Sequence, residues 1–194
     1  MKKWIWMVVA AVVVVGAFWL YRTYNGFVQM DEEVKTAWAQ VETQYQRRAD
    51  LIPNLVNTVK GYAAHERETL EGVVAARAKA TSVNLSADEL TPEALAEFQR
   101  AQEGVGSALG RLLVVAERYP DLKANQNFQE LQAQLEGTEN RIAVARERFN
   151  AAVQAYNVAI RRFPAVVVAG IFGFERKPYF QAAEKAQEAP VVEF

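Results

Sequence analysis

Cysteine is absent from the 194 residues, and histidine occurs once, at position 65. Without cysteine there can be no disulfide, thiolate zinc site, cysteine nucleophile or cysteine-bound iron–sulfur cluster. A lone histidine leaves most His-based metal and acid–base sites without a second member. Charge surplus of either sign is missing too, with 22 Lys and Arg against 23 Asp and Glu. A chain this near neutrality lacks the cations with which nucleic-acid binders displace counterions, so no nucleic-acid partner is expected. No stretch after Asn25 alternates apolar and polar residues as a half-buried strand would. The expectation is an all-α, non-catalytic protein with no cofactor.

What the chain does have is a long apolar run at its start. From Trp4 to Tyr21, 17 of 18 residues are apolar, the exception being Gly16. A helix of about 20 such residues crosses a hydrocarbon core. Trp4 and Trp6 at one end, and Trp19 and Tyr21 at the other, stand where interfacial aromatic belts belong. The competing reading is a cleaved secretory signal. Against it, the run ends in Phe18–Trp19–Leu20–Tyr21, with no small-x-small cleavage pattern there. Lys2 and Lys3 precede the span and only Arg22 closely follows it. The positive-inside rule then puts the N-terminus in the cytoplasm and the following domain outside, in a single-pass arrangement. Residues 1–24 thus read as a membrane anchor, 25–163 as a helical bundle, and 164–194 as an apolar, aromatic segment with a flexible tail.

Two heptad seams organise the bundle. Val34, Trp38, Val41, Tyr45, Arg48, Ile52, Leu55, Val59 and Tyr62 step by three and four, within a helical stretch over about residues 27 to 80. Pro53 should interrupt it, yet the phase passes through unbroken. One long kinked helix is therefore favoured over two helices folded back on each other. Phe128, Leu131, Leu135, Thr138, Ile142, Ala145, Phe149, Ala152, Tyr156, Ala159 and Phe163 form the second seam, with coiled-coil spacing and alternating bulky and small layers. Between them Ser82 to Thr91 reads as a loop, and Thr91–Pro92–Glu93 as a capped helix start. The fold class is an N-terminal transmembrane helix plus an elongated antiparallel three- or four-helix bundle.

The blocks LIPNLV, YPDLKAN, EGTENRI and RRFP, with GFERKPYF after them, resemble the bacterial LemA family over nearly the whole chain. The resemblance implies a single-pass bacterial cell-membrane protein with an all-helical domain and no assigned activity or catalytic residues. Its magnetosome member is linked to formation of internal membranes, which makes a membrane-organising role the expectation.

Three motifs invite chemistry and are read more plainly. HERETL around His65 has the look of a phospho-acceptor box, but no ATP-binding half is present, and an exposed helical histidine is the simpler reading. His65 with Glu68 is half of a bundle metal site that would need a second Glu-x-x-His pair. A carboxylate-only Mg²⁺ or Ca²⁺ site has no loop signature behind it. GVGSALG (104–110) lacks the preceding strand of a phosphate loop, so close helix packing or a locally weak helix is expected.

Polar residues on or beside the seams, Arg48, Asp50, Glu139 and Arg141, are expected to set helix register, since a buried charge needs a partner. Pro164 stops the last long helix, and the stretch after it holds Val168, Ile171, Phe172, Phe174, Tyr179 and Phe180. These six are candidates for contact with membrane lipid or a neighbouring subunit, unless they pack on the bundle base. The partners expected are therefore membrane lipid, further copies of the chain and another membrane protein. In the last case the chain is an adaptor presenting a distal tip near Ser82 to Thr91.

Overall fold

The apolar run and the first amphipathic stretch are one continuous helix, α1 (Lys2–Tyr62), whose 61 residues span roughly 90 Å. This is a computed structural model, and it describes residues 2–181; Met1 and the tail from 182 to 194, expected to be flexible, lie outside the described residues. After α1 come α2 (Arg67–Ser82), a 3₁₀ turn (Ala87–Glu89), α3 (Pro92–Ala116), the single turn α4 (Pro120–Lys123), α5 (Gln126–Arg161) and α6 (Ala165–Phe172). The four long helices run alternately up and down, with α5 packed along α1 and α3 along α2.

The first seam is realised as read. Val34, Trp38, Val41, Tyr45, Arg48, Ile52, Leu55 and Val59 are all buried, while Tyr62 is exposed. The helix does pass through Pro53, but it does not continue to residue 80. The chain turns at 63–66, with Ala63 fully buried in the turn, and α2 folds back. Residues 62–66 and 117–125 consequently form the distal tip. The 83–91 loop, expected there, lies instead beside the lower part of α1, where the Leu85 carbonyl accepts from Trp38 Nε1 at 3.0 Å.

The second seam drifts. Phe128, Leu135, Thr138, Ile142, Ala145, Phe149 and Tyr156 are buried as expected, but the last two turns of α5 bury Val153, Asn157 and Ile160 rather than Ala152 and Ala159. A straight α-helix slips about 20° per heptad against a strict 3.5-residue repeat, enough to move the buried stripe by one position over this length. Phe163 lies beyond the helix end and is 85% exposed.

Caps fall where the residue types place them. Thr91 Oγ1 accepts from the Ala94 N–H with Pro92 in the first turn, and Asn125 Oδ1 accepts from the Phe128 N–H. The glycines of GVGSALG sit in α3, and a Cβ on any of the three meets nothing within 4 Å. Close packing is therefore not their role. They leave a helix of lower propensity.

Pro53 illustrates how a sequence defect is covered. Its nitrogen cannot donate to the carbonyl four residues back, that of Ala49. Arg77 of α2 supplies the missing donor, its Nε reaching the Ala49 oxygen at 2.7 Å. Arg77→Ala should therefore cost about 1–2 kcal/mol by leaving that carbonyl unpaired. In a Pro53→Ala background the helix regains its own donor, and Arg77→Ala should cost much less. Chemical denaturation of the parent and the three variants gives the coupling directly. An equal cost in both backgrounds would refute the assignment.

Candidate functional site at the foot of the bundle

Two apolar cores stack along the rod. The distal one gathers Ile52, Leu55, Val59, Val73, Leu112, Leu122 and Phe128 among others. The membrane-proximal one gathers Phe27, Trp38, Phe98, Phe149, Tyr156, Val168 and Phe180 among others. Arg48 lies between them, buried, its guanidinium donating to Glu139 Oε1 at 2.8 Å and to the Gln102 carbonyl and Oε1 at 3.0 and 2.7 Å. This layer ties α1, α3 and α5 together. Of the four polar residues singled out from sequence, Arg48 and Glu139 thus meet. Asp50 is exposed and accepts from Gln46 on its own helix, and exposed Arg141 reaches only Thr138, one turn back.

Below the polar layer α2 is absent, and its place is taken by the 83–91 loop and by the extended strap 174–181. Two asparagines one heptad apart on α5 hold the strap as a strand partner would. Asn157 exchanges two hydrogen bonds with the backbone of Lys177, and Asn150 does the same with Phe180. Phe180 stacks on Trp38 at 5.9 Å, meets Phe149 edge-on at 5.4 Å, and lies under the Arg146 guanidinium at 4.7 Å. Lys177 pairs with Asp31 at 3.0 Å, and Lys35 with Asp88 of the loop at 2.9 Å. Hydrogen bonding to Lys35 holds the Asp88 carboxyl below its ordinary range. Burial, helped by the negative charges of Asp31 and Glu175, pushes the Tyr156 phenol up to about 12.

The structure divides the six apolar candidates of the C-terminal segment. Val168 and Phe180 are buried inside the subunit, and Phe174 is half-buried against Tyr24 and Phe27 at 5.6 and 5.2 Å. Ile171, Phe172 and Tyr179 remain exposed. The direction of α6 explains the split. It leaves α5 at 101° and so crosses the base of the bundle, with Phe172 against Tyr24 at 4.9 Å. Trp4, Trp6, Trp19 and Tyr21 are all exposed on the part of α1 that stands clear of the bundle. This is the one described helix that by itself is long and apolar enough to cross a membrane.

A family model for the LemA family matches residues 37–194. The chain belongs to the LemA family. Among its relatives, magnetosome protein MamQ 2 of Paramagnetospirillum magneticum is 32% identical over 192 residues, covering 89% of this chain and 70% of its own length. Magnetosome protein MamQ of Magnetospirillum gryphiswaldense is 30% identical over 190 residues, with the same coverage. Protein LemA of Metamycoplasma hominis is 24% identical over 160 residues, covering 82% of this chain and 69% of its own. Family membership and the apolar length of α1 together make this a membrane-associated protein.

In this LemA-family chain the residues that invited chemistry are scattered. His65 is exposed in the α1–α2 turn rather than on a helix, so it has no helical i, i+3 relation to Glu68. Among the described residues no three metal-ligating side chains gather. A cleft of about 110 Å³ beside Glu42, Arg48 and Arg77 is well below the few hundred Å³ of an organic ligand site. Burial raises the Glu42 pKa there. Asn150, Asn157 and Arg77 were not legible beforehand, because a polar residue that docks backbone looks in sequence like one that faces water.

Proposed function

We propose that the protein is a membrane-anchored, non-catalytic scaffold whose copies associate side by side to organise or shape the bacterial membrane. The observation that carries this reading is the continuity of α1. Membrane segment and bundle share one helix from Lys2 to Tyr62, so no flexible linker separates them. A rod fixed rigidly to its anchor transmits lateral contacts between bundles into the tilt of the spans. A tethered enzyme does not need such stiffness. Similarity to magnetosome proteins agrees with a role at membranes.

The heptad seams are filled within the subunit, so association would use the anchors and the flanks of neighbouring rods in the plane of the membrane. In this reading the N-terminus is cytoplasmic and the bundle outside, which the bias of Lys2 and Lys3 against Arg22 supports. Sedimentation of the full-length protein in mild detergent, with negative-stain imaging, tests the reading. Concentration-dependent oligomers, rings or arrays are expected. A strict monomer at high concentration would overturn it. It would favour an adaptor acting through the distal tip at 62–66 and 117–125, where Glu66 accepts from both Arg118 and Tyr119 at 3.1 Å.

A further inference from the structure

α6 has two faces. Val168 and Ala169 turn into the bundle, whereas Val166, Val167, Ile171 and Phe172 are exposed, with the neighbouring Phe163. The helix, AVVVAGIF, carries no charged residue. A contiguous apolar surface of this kind does not ordinarily face water. Its height decides what covers it. Phe172 packs on Tyr24, and Tyr24 lies three residues, about 4.5 Å, beyond the end of the apolar run at Tyr21. Because α6 lies across the base of the bundle, it runs along a bilayer surface crossed by residues 4–21. Arg22, Arg161 and Arg162 are exposed at the same base, and none appears in an ion pair among the described residues.

We propose that α6 is a second membrane contact, a short interfacial helix whose Val166, Val167, Ile171 and Phe172 lie at the boundary of acyl chains and headgroups. Arg22, Arg161 and Arg162 reach headgroup phosphates, as cations at this depth do. The occupant is lipid rather than a second copy. A two-fold contact through this face would bring Arg22, Arg161, Arg162 and the exposed Arg176 of both copies together, more positive charge than the exposed Glu175 of each copy neutralises. Two contacts, one spanning and one interfacial, fix the rotation of the rod about its own helix, which a single span leaves free. This holds whether or not copies associate.

Because the chain lacks cysteine, a single introduced thiol carries a single label. The full-length variants I171C, V167C and V114C, each with an environment-sensitive fluorophore, are placed in phosphatidylcholine–phosphatidylglycerol vesicles. Val114 is the matched control, on α3 and as exposed on the folded chain as Ile171, at 70%. Nitroxide on the upper acyl chain should quench I171C and V167C strongly and V114C hardly at all. Aqueous iodide should show the reverse, by several-fold. Both results should survive dilution into excess lipid. Iodide quenching of I171C and V167C equal to that of V114C overturns the proposal. So does shielding that disappears on dilution, which would mean that a second copy covers the face. Circular dichroism verifies that each variant is folded, and the second site on α6 covers failure of the first.

Discussion

Replacing Trp38 by alanine should cost the bundle about 4 kcal/mol, the range for deleting a large buried aromatic. For a chain of this size that lowers the midpoint of thermal unfolding by roughly 10 °C. The reason lies in how many elements meet on one ring. Trp38 is fully buried and touches Phe98 of α3 at 5.3 Å, Phe149 of α5 at 5.5 Å and Phe180 of the strap at 5.9 Å. Its Nε1 also supplies the donor for the Leu85 carbonyl. Removing it empties the centre of the membrane-proximal core and frees the loop and the strap together, since neither has a helix of its own there. Trp38→Phe retains much of the volume and should lose about 1–3 kcal/mol, the cost of one unpaired buried carbonyl. Thermal unfolding followed by circular dichroism gives the totals. Amide exchange then shows where the loss falls, at 83–91 and 174–181 before the distal core. A Trp38→Ala protein within 1 kcal/mol of the parent would show that the aromatic cluster is not what holds the lower half together.

Periodicity made the helices legible and left their ends obscure. The α1 seam could be read because an apolar stripe against a polar background is a one-dimensional signal. The turn at 63–66 could not, because its one marker, Gly61, is a residue that helices also tolerate, and the phase continues through Tyr62. Pro53 drew attention to the wrong place: the defect is real, but Arg77, 24 positions on in sequence, repairs it. The apolar character of the C-terminal segment was equally plain. Which of its residues face inward was not, since that depends on α6 lying across Tyr24 and Phe27, a contact between opposite ends of the chain. Asn150 and Asn157 carried a weak signal, two asparagines at one heptad interval, with nothing to show that they receive a strap.

Arg48 sets the second large effect, and its size differs between the two ends of the same ion pair. Arg48→Met removes the charge and the donors while keeping much of the side-chain length, and should cost about 3 kcal/mol, as breaking a buried pair does. The loss arises mainly at Gln102 Oε1, which is buried with Arg48 as its partner, while the Gln102 carbonyl, inside α3, loses a second donor. Glu139→Gln should cost about 1 kcal/mol or less, as expected of a pair with one end in water. The Glu139 side chain is 48% exposed, so its carboxylate is largely solvated already, and an amide oxygen still accepts from Arg48. Denaturant unfolding of the two single variants checks this asymmetry, and equal costs would contradict it. An all-apolar layer, Arg48→Met with Gln102→Leu and Glu139→Leu, leaves no buried partner unpaired and should recover most of the stability lost in Arg48→Met alone. It would also merge the two cores into one uninterrupted seam. If the layer fixes register, the recovered stability should come with a less uniquely folded state, visible as broadened or doubled amide resonances of α3 and α5. Sharp single resonances in that variant would assign register to the caps and the aromatic cluster instead.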